Sequence, residues 1–194
     1  MSAPDPERAI LDGLAGPPGR WEPGATSPGG IQSGIVLGGN PFQADPSTVR
    51  IVKHRASGPR HLYFVTFHGA IPRLGPERHS FSYVFPVERD PRGGWRVRGG
   101  AGGAGSTPRR STPWVNLGGG GWPDQFYAGG RIDTAGLDVA RIELRFADGL
   151  TLEDDTDAGV ALFITGETVE MPATVALLDQ AGNDVATHRA FPGL

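Results

Sequence analysis

The chain has 194 residues, of which 31 are glycine and 18 proline, about a quarter of the whole. Glycine and proline in helix interiors cost roughly 1 and 3 kcal/mol each, which excludes a helical bundle, and the glycines keep no three-residue register, which excludes a collagen-like chain. The formal charge of −3 is a cancellation, because residues 1–46 carry −3, residues 47–110 carry +9 and residues 111–194 carry −9, an asymmetry that bears on partners more than on fold.

The first predicted element is a short helix. Asp5 suits the N-cap, Pro6 the first helical position and Glu7 the positive helix end. Ile10, Leu11 and Leu14 share a face, and Gly16-Pro17-Pro18 ends the helix. The opening residues carry acids where a signal peptide has positive charge, no apolar run approaches a membrane span, and the expected setting is the cytoplasm. From Pro17 to Pro46 the chain reads as an extended Gly/Pro-rich arm holding Trp21 and Ile35-Val36-Leu37, so residues 1–46 form a helix-plus-arm region.

Residues 47–98 predict an antiparallel meander. Val49–Arg55 is followed by the turn Ala56-Ser57-Gly58-Pro59 and by the aromatic strand His61–His68. In His79–Arg89 the residues Phe81, Tyr83, Phe85 and Val87 recur at period two, and Pro86 predicts an edge or bulged strand. The turn Asp90–Gly94 leads to a last strand, Trp95–Arg98. Residues 99–130 read as a Gly-rich linker and an aromatic loop. Residues 131–194 return to regular strands: Val139–Phe146, Leu150–Asp155, Val160–Thr165, Val169–Leu178 and Asp184–Phe191, with hairpin turns at Asp148-Gly149 and Gly182-Asn183. That spacing of about ten residues is the rhythm of a sandwich. The predicted fold is mainly β, with antiparallel sheets, a sandwich-like C-terminal half and one short N-terminal helix; the last region stands alone or packs with 47–98 as one domain.

Most motifs yield to plain readings. Gly100-Ala101-Gly102-Gly103-Ala104-Gly105 matches G-x-G-x-x-G, but Pro108 and Pro113 deny it the helix that a dinucleotide site needs, so it reads as a flexible linker. Glu153-Asp154-Asp155-Thr156-Asp157 fits no register of an EF-hand and reads as a solvated hairpin tip. With no cysteine there is no disulfide and no thiolate chemistry. The five histidines (His54, His61, His68, His79 and His188) lack close metal spacing, although His54 and His61 flank the first hairpin and can meet across it. Ser33 has no nucleophile-elbow context, and the separation of Glu77 from Glu88 is not readable from sequence. No metal or cofactor is expected.

Two segments remain. Arg89, Arg92, Arg96, Arg98, Arg109 and Arg110 lie close together around Trp95, a combination suited to phosphate contact and base stacking. The same arginines also suit a protected strand edge or pairing with the acidic C-terminal third, and the overall acidity speaks against nucleic acid. Trp114, Trp122, Phe126 and Tyr127 sit among glycines, either as anchors of an interface or ligand cleft or as plugs of the core.

The alternating strand Val139–Phe146, its Ala-Asp-Gly turn and the closing Asp179–Asn183 hairpin resemble the β-sandwich tails of uncharacterised actinobacterial proteins, over about residues 137–191. Residues 49–98, ending in Gly-Trp-Arg-Val, resemble the strand meander of cystatin-like α+β domains. Neither resemblance implies catalytic residues. The expected function is a non-catalytic protein-interaction or assembly module that binds another protein or another copy of itself. Its expected contact residues are Trp114, Trp122, Phe126, Tyr127, Arg92, Arg96, Arg98, Arg109 and Arg110. A hydrolase or small-ligand site near 114–127 is the alternative, and nucleic-acid binding through 89–110 the lesser one.

Overall fold

The computed structural model describes residues 5–15, 42–71, 75–91, 93–105, 111–121 and 125–191. The predicted arm, with Trp21, falls mostly outside them. The chain divides into two units, Met1–Ser106 and Thr107–Leu194. No helix among the described residues is long and apolar enough to cross a membrane.

Among the described residues the first unit lays one α-helix, α1 (Pro6–Ala15), over an antiparallel sheet. Asp5 starts it as expected: its Oδ1 accepts the Glu7 N–H at 3.0 Å and its carbonyl accepts the Arg8 N–H at 3.1 Å. A ten-residue helix is marginal alone, so its stability comes from Ile10 and Leu14, whose burial contributes about 1.5–3 kcal/mol each. The strands are β1 (Gln43–Ala44), β2 (Arg50–Ser57), β3 (Arg60–Ala70), β4 (Arg78–Arg89), β5 (Trp95–Val97) and β6 (Ala101–Ala104). Both β1 and β2 pair with β3, and a 3-10 turn at Pro46–Thr48, capped by Asp45, separates them. Both β5 and β6 pair with β4. The period-two pattern works as the sequence predicts: Tyr63, Val65 and Phe67 stand opposite Phe85, Tyr83 and Phe81, and this face packs on Ile10, Leu14, Phe42 and Val49.

Pro86 lies in an internal strand, not at an edge. Its carbonyl accepts the Arg98 N–H at 2.9 Å, on the β5–β6 side of β4. A residue's N–H and C=O point the same way in an antiparallel strand, so the proline nitrogen faces the break between β5 and β6, where no ladder bond is lost.

Among the described residues the second unit is a seven-stranded sandwich: β7 (Trp114–Gly120), β8 (Phe126–Asp133), β9 (Arg141–Phe146), β10 (Thr151–Asp154), β11 (Val160–Thr165), β12 (Ala173–Leu178) and β13 (Asp184–Phe191). One sheet runs β11-β8-β7 and the other β10-β9-β12-β13, all antiparallel. Ile142, Leu144, Phe146, Val175 and Leu177 from the second sheet meet Phe126, Ala128, Ile132, Ala161 and Phe163 from the first. This division differs from that of a seven-stranded immunoglobulin domain in its fourth strand, which here joins the third, sixth and seventh. The two predicted turns hold: Asp148 Oδ1 accepts the Leu150 N–H at 2.9 Å, and Asp179 Oδ1 accepts the Asn183 N–H at 2.8 Å.

The largest departure from the sequence reading is segment 99–130. It is not a linker and loop: it supplies β6 to the first sheet and β7 and most of β8 to the sandwich, so the unit boundary falls at 106–107. Several of its glycines are packing residues. A Cβ on Gly102 would lie 2.7 Å from the Tyr83 Cα, one on Gly119 2.9 Å from the Ala128 Cα, and one on Gly130 2.9 Å from the Asn116 carbonyl carbon. Glycine here permits close approach of strands rather than flexibility.

Candidate functional site

The predicted aromatic contact residues separate once their strands are drawn. Phe126 is 1% exposed and meets Phe146 and Phe191 edge-on, with centroids 5.0 and 5.7 Å away. It is a core residue, because even-numbered side chains of β8 point between the sheets, and its expected role as an interaction residue is corrected accordingly. Tyr127 points the opposite way, beside Ile164 and Gly120, and burial pushes its phenol up to about 12. Trp114 opens β7 opposite Asp133 and is half-buried. Trp122 lies outside the described residues.

The arginines are largely engaged. Arg96 and Arg98 both contact Glu88 Oε1, at 3.1 and 2.9 Å, and Arg96 also lies 4.0 Å from Asp90. The Arg89 guanidinium sits 4.4 Å over the Trp95 ring. Arg92, Arg109 and Arg110 fall outside the described residues. Counted by unit, twelve Arg/Lys against eight acids give the first unit +4, and six against thirteen give the second −7.

The histidines form the densest chemical cluster. His54 and His61 do meet: His54 stands opposite Tyr63 and His61 two residues away opposite Ala56, which makes them diagonal cross-strand neighbours. His54 Nε2 and His61 Nδ1 are 2.9 Å apart, and the ring planes differ by 10° with centroids at 5.0 Å. Two imidazoles joined edge to edge by one N–H···N bond have this geometry. Their lone pairs lie along one line instead of converging on a common metal. His54 stacks on Tyr63 at 4.4 Å, and His61 meets Trp95 edge-on at 4.7 Å. Burial lowers the pKa of both rings, and for His61 the neighbouring His54 and Arg89 lower it further. The pair accepts one proton and keeps its bond, with one ring donating to the other. A second proton would leave two donors facing each other and break it. Chemically this is a strip that pins β2 to β3.

Among the described residues no wider constellation surrounds it. His68 and His79 lie near the far end of β3 and β4, about 23 Å along the strand from His61 at 3.3 Å per residue. Ser80 Oγ is 3.3 Å from His68 Nδ1, and among the described residues no carboxylate completes a triad. No group of three or more His, Asp or Glu able to hold a metal occurs among the described residues. The expected meeting of His54 and His61 was readable from the short turn between them. The part of Trp95 and Arg89 was not, since it depends on the β4–β5 register.

The strand edges differ in a way that the sequence reading missed. On β2 a bulge displaces Val52, which is 37% exposed, among Arg50, Lys53 and Arg55. On β13 register shifts leave Val185 and Ala190 unpaired. The β10 edge is four residues long and ends in Glu153-Asp154, and the Asp154 carboxylate accepts the Leu162 N–H of β11 at 2.6 Å. Bulges, charges and side-chain caps of this kind deter strand addition. β7 has neither a bulge nor a charge within it. Its seven residues, Trp-Val-Asn-Leu-Gly-Gly-Gly, pair with β8 without interruption and include no charge, proline or bulge. Comparison with protein-family models, curated proteins and solved structures finds no match, so the reading of these features rests on their own chemistry.

Proposed function

We propose that the chain is a non-catalytic interaction and assembly module that takes its partner by strand addition at the β7 edge. The observation that carries this reading is the contrast between β7 and the other long edges: β2 and β13 each bear a bulge, β11 is capped where the Asp154 carboxylate accepts the Leu162 N–H, and β7 bears neither bulge nor charge. Alternate residues of an edge strand direct N–H and C=O away from their own sheet, and an incoming extended strand satisfies them. Further support comes from the arginine and histidine side chains. Arg96 and Arg98 are paired with Glu88, and four of the five histidines split between two ends of one sheet, with His188 apart on β13.

The test uses the full chain and a panel of fluorescently labelled, uncharged peptides of alternating β-branched and polar residues. Strand addition predicts saturable binding to at least one of them, with slowed amide exchange at residues 114–120. No peptide binding, together with exchange at 114–120 that is unchanged by peptide or by protein concentration, would overturn the reading.

A further inference from the structure

We infer that the β7 edge is built to receive a second copy of itself, antiparallel, about a two-fold axis through Leu117. This rests on the proposed strand addition at β7 and names its occupant. The basis is the order of residues along the strand. Reading Trp114-Val115-Asn116-Leu117-Gly118-Gly119-Gly120 against its own reverse sets Trp114 opposite Gly120, Val115 opposite Gly119 and Asn116 opposite Gly118, with Leu117 facing Leu117. Apart from Leu117 on the axis, every bulky side chain meets a glycine. An aromatic laid across an edge glycine is a favoured cross-strand arrangement. The half of β7 without side chains thus serves as the receptor for the half that has them.

Charge points the same way. The second unit carries −7, which would ordinarily repel a second copy, yet β7 is uncharged along its whole length. A two-fold interface is self-complementary by construction and closes after two copies, so this edge yields a dimer rather than a filament. Its ladder would hold about six to eight backbone hydrogen bonds, two for each hydrogen-bonded residue pair. The edge is the site; the glycines alone would say nothing.

The structure supplies a variant that separates dimerisation from folding. A Cβ on Gly120 meets only the Tyr127 phenol, at 3.7 Å for Oη and 4.0 Å for the ring carbon, so the protomer has room for a side chain there. In the dimer the same side chain collides with the Trp114 of the second copy. Gly120→Val is therefore expected to keep the fold, by circular dichroism and urea midpoint, and to weaken self-association at least tenfold in sedimentation velocity. Asn116→Lys, which charges an exposed position at the middle of the edge, should do the same. Removing the colliding ring in Gly120→Val/Trp114→Ala should recover part of the loss. The chain has no cysteine, so a spin label at Asn116→Cys reports one distance, expected below about 20 Å for diagonal neighbours.

A chain that stays monomeric up to about 1 mM, or a dimer indifferent to Gly120→Val and Asn116→Lys, overturns the inference. Peptide capture by such a monomer would leave the strand-addition reading standing. Loss of both peptide capture and dimer would overturn the two together.

Discussion

Replacing Gly102 by alanine tests the most consequential reassignment in the fold, the conversion of a glycine-rich linker into strand β6. The added methyl would sit 2.7 Å from the Tyr83 Cα and 2.8 Å from its ring, and closer still to the Ser82 carbonyl oxygen. Ordinary carbon contacts are about 3.5–4.0 Å, so β6 must retreat by about 1 Å. Overpacking of this kind costs about 1–3 kcal/mol, and one or two weakened ladder bonds to β4 add about 0.5–1.5 kcal/mol each. The next residue is the control. A Cβ on Gly103 meets nothing within 4 Å, so Gly103→Ala should be neutral or stabilise by about 0.4–1 kcal/mol through the unfolded chain. The two variants should then differ by about 1.5–7 kcal/mol, a gap of about 1 M or more in urea midpoint at the usual slopes. The assay is urea unfolding read by amide exchange in β3 and β4, which isolates the first unit. Equal midpoints for Gly102→Ala and Gly103→Ala would refute the pairing of β6 with β4.

Three further outcomes are expected. The folded His54–His61 pair resists protons that the unfolded chain takes up below about pH 6.5, so stability should fall as pH drops through that value, until the folded pair itself protonates; His54→Phe/His61→Phe should flatten the urea-midpoint profile between pH 7 and 5. Phe126→Ala should destabilise the sandwich by about 3–5 kcal/mol in thermal or urea unfolding, whereas an unchanged melt would return Phe126 to the surface role expected from sequence. Asp154→Ala should cost about 1–2 kcal/mol and speed exchange at the Leu162 amide, with Asp154→Asn milder, since a charge-assisted bond is lost in the first and only weakened in the second.

Where a signal was local, the sequence was legible. Asp5, Pro6 and Glu7 mark the start of α1 because capping needs only neighbouring residues. Phe81 to Val87 reveal β4 because alternation is written in side chains, and Asp148-Gly149 and Asp179–Asn183 fix their hairpins through short-range bonds. Glycine strands defeat that method. Residues 118–120 carry no side chain, so they show no period, and the composition of a strand that lets its neighbour approach is the composition of a flexible loop. Missing β7 and β8 hid a second fact: Phe126 and Tyr127, adjacent and both aromatic, must face opposite sides of a sheet. Pro86 was misplaced for a related reason, since sequence does not say which side of a strand has a broken neighbour. The +9 block was visible, but the pairing of Arg96 and Arg98 with Glu88 required the β4–β5 register.

The pairing order of the two units has a kinetic consequence. In the first unit β2, β3 and β4 join neighbours in sequence, so each hairpin closes a short loop. The sandwich has three such hairpins, β7–β8, β9–β10 and β12–β13, but its sheets are completed only by longer closures: β9 waits for β12, as Leu144 pairs with Val175, and β8 waits for β11, as Ala128 pairs with Phe163. Loops of about thirty residues must close before those contacts reward the chain. Closing those longer loops is the step expected to set the pace of maturation. Until β8 is paired on both sides, β7 has no sheet to extend, so the proposed pairing between copies would follow folding.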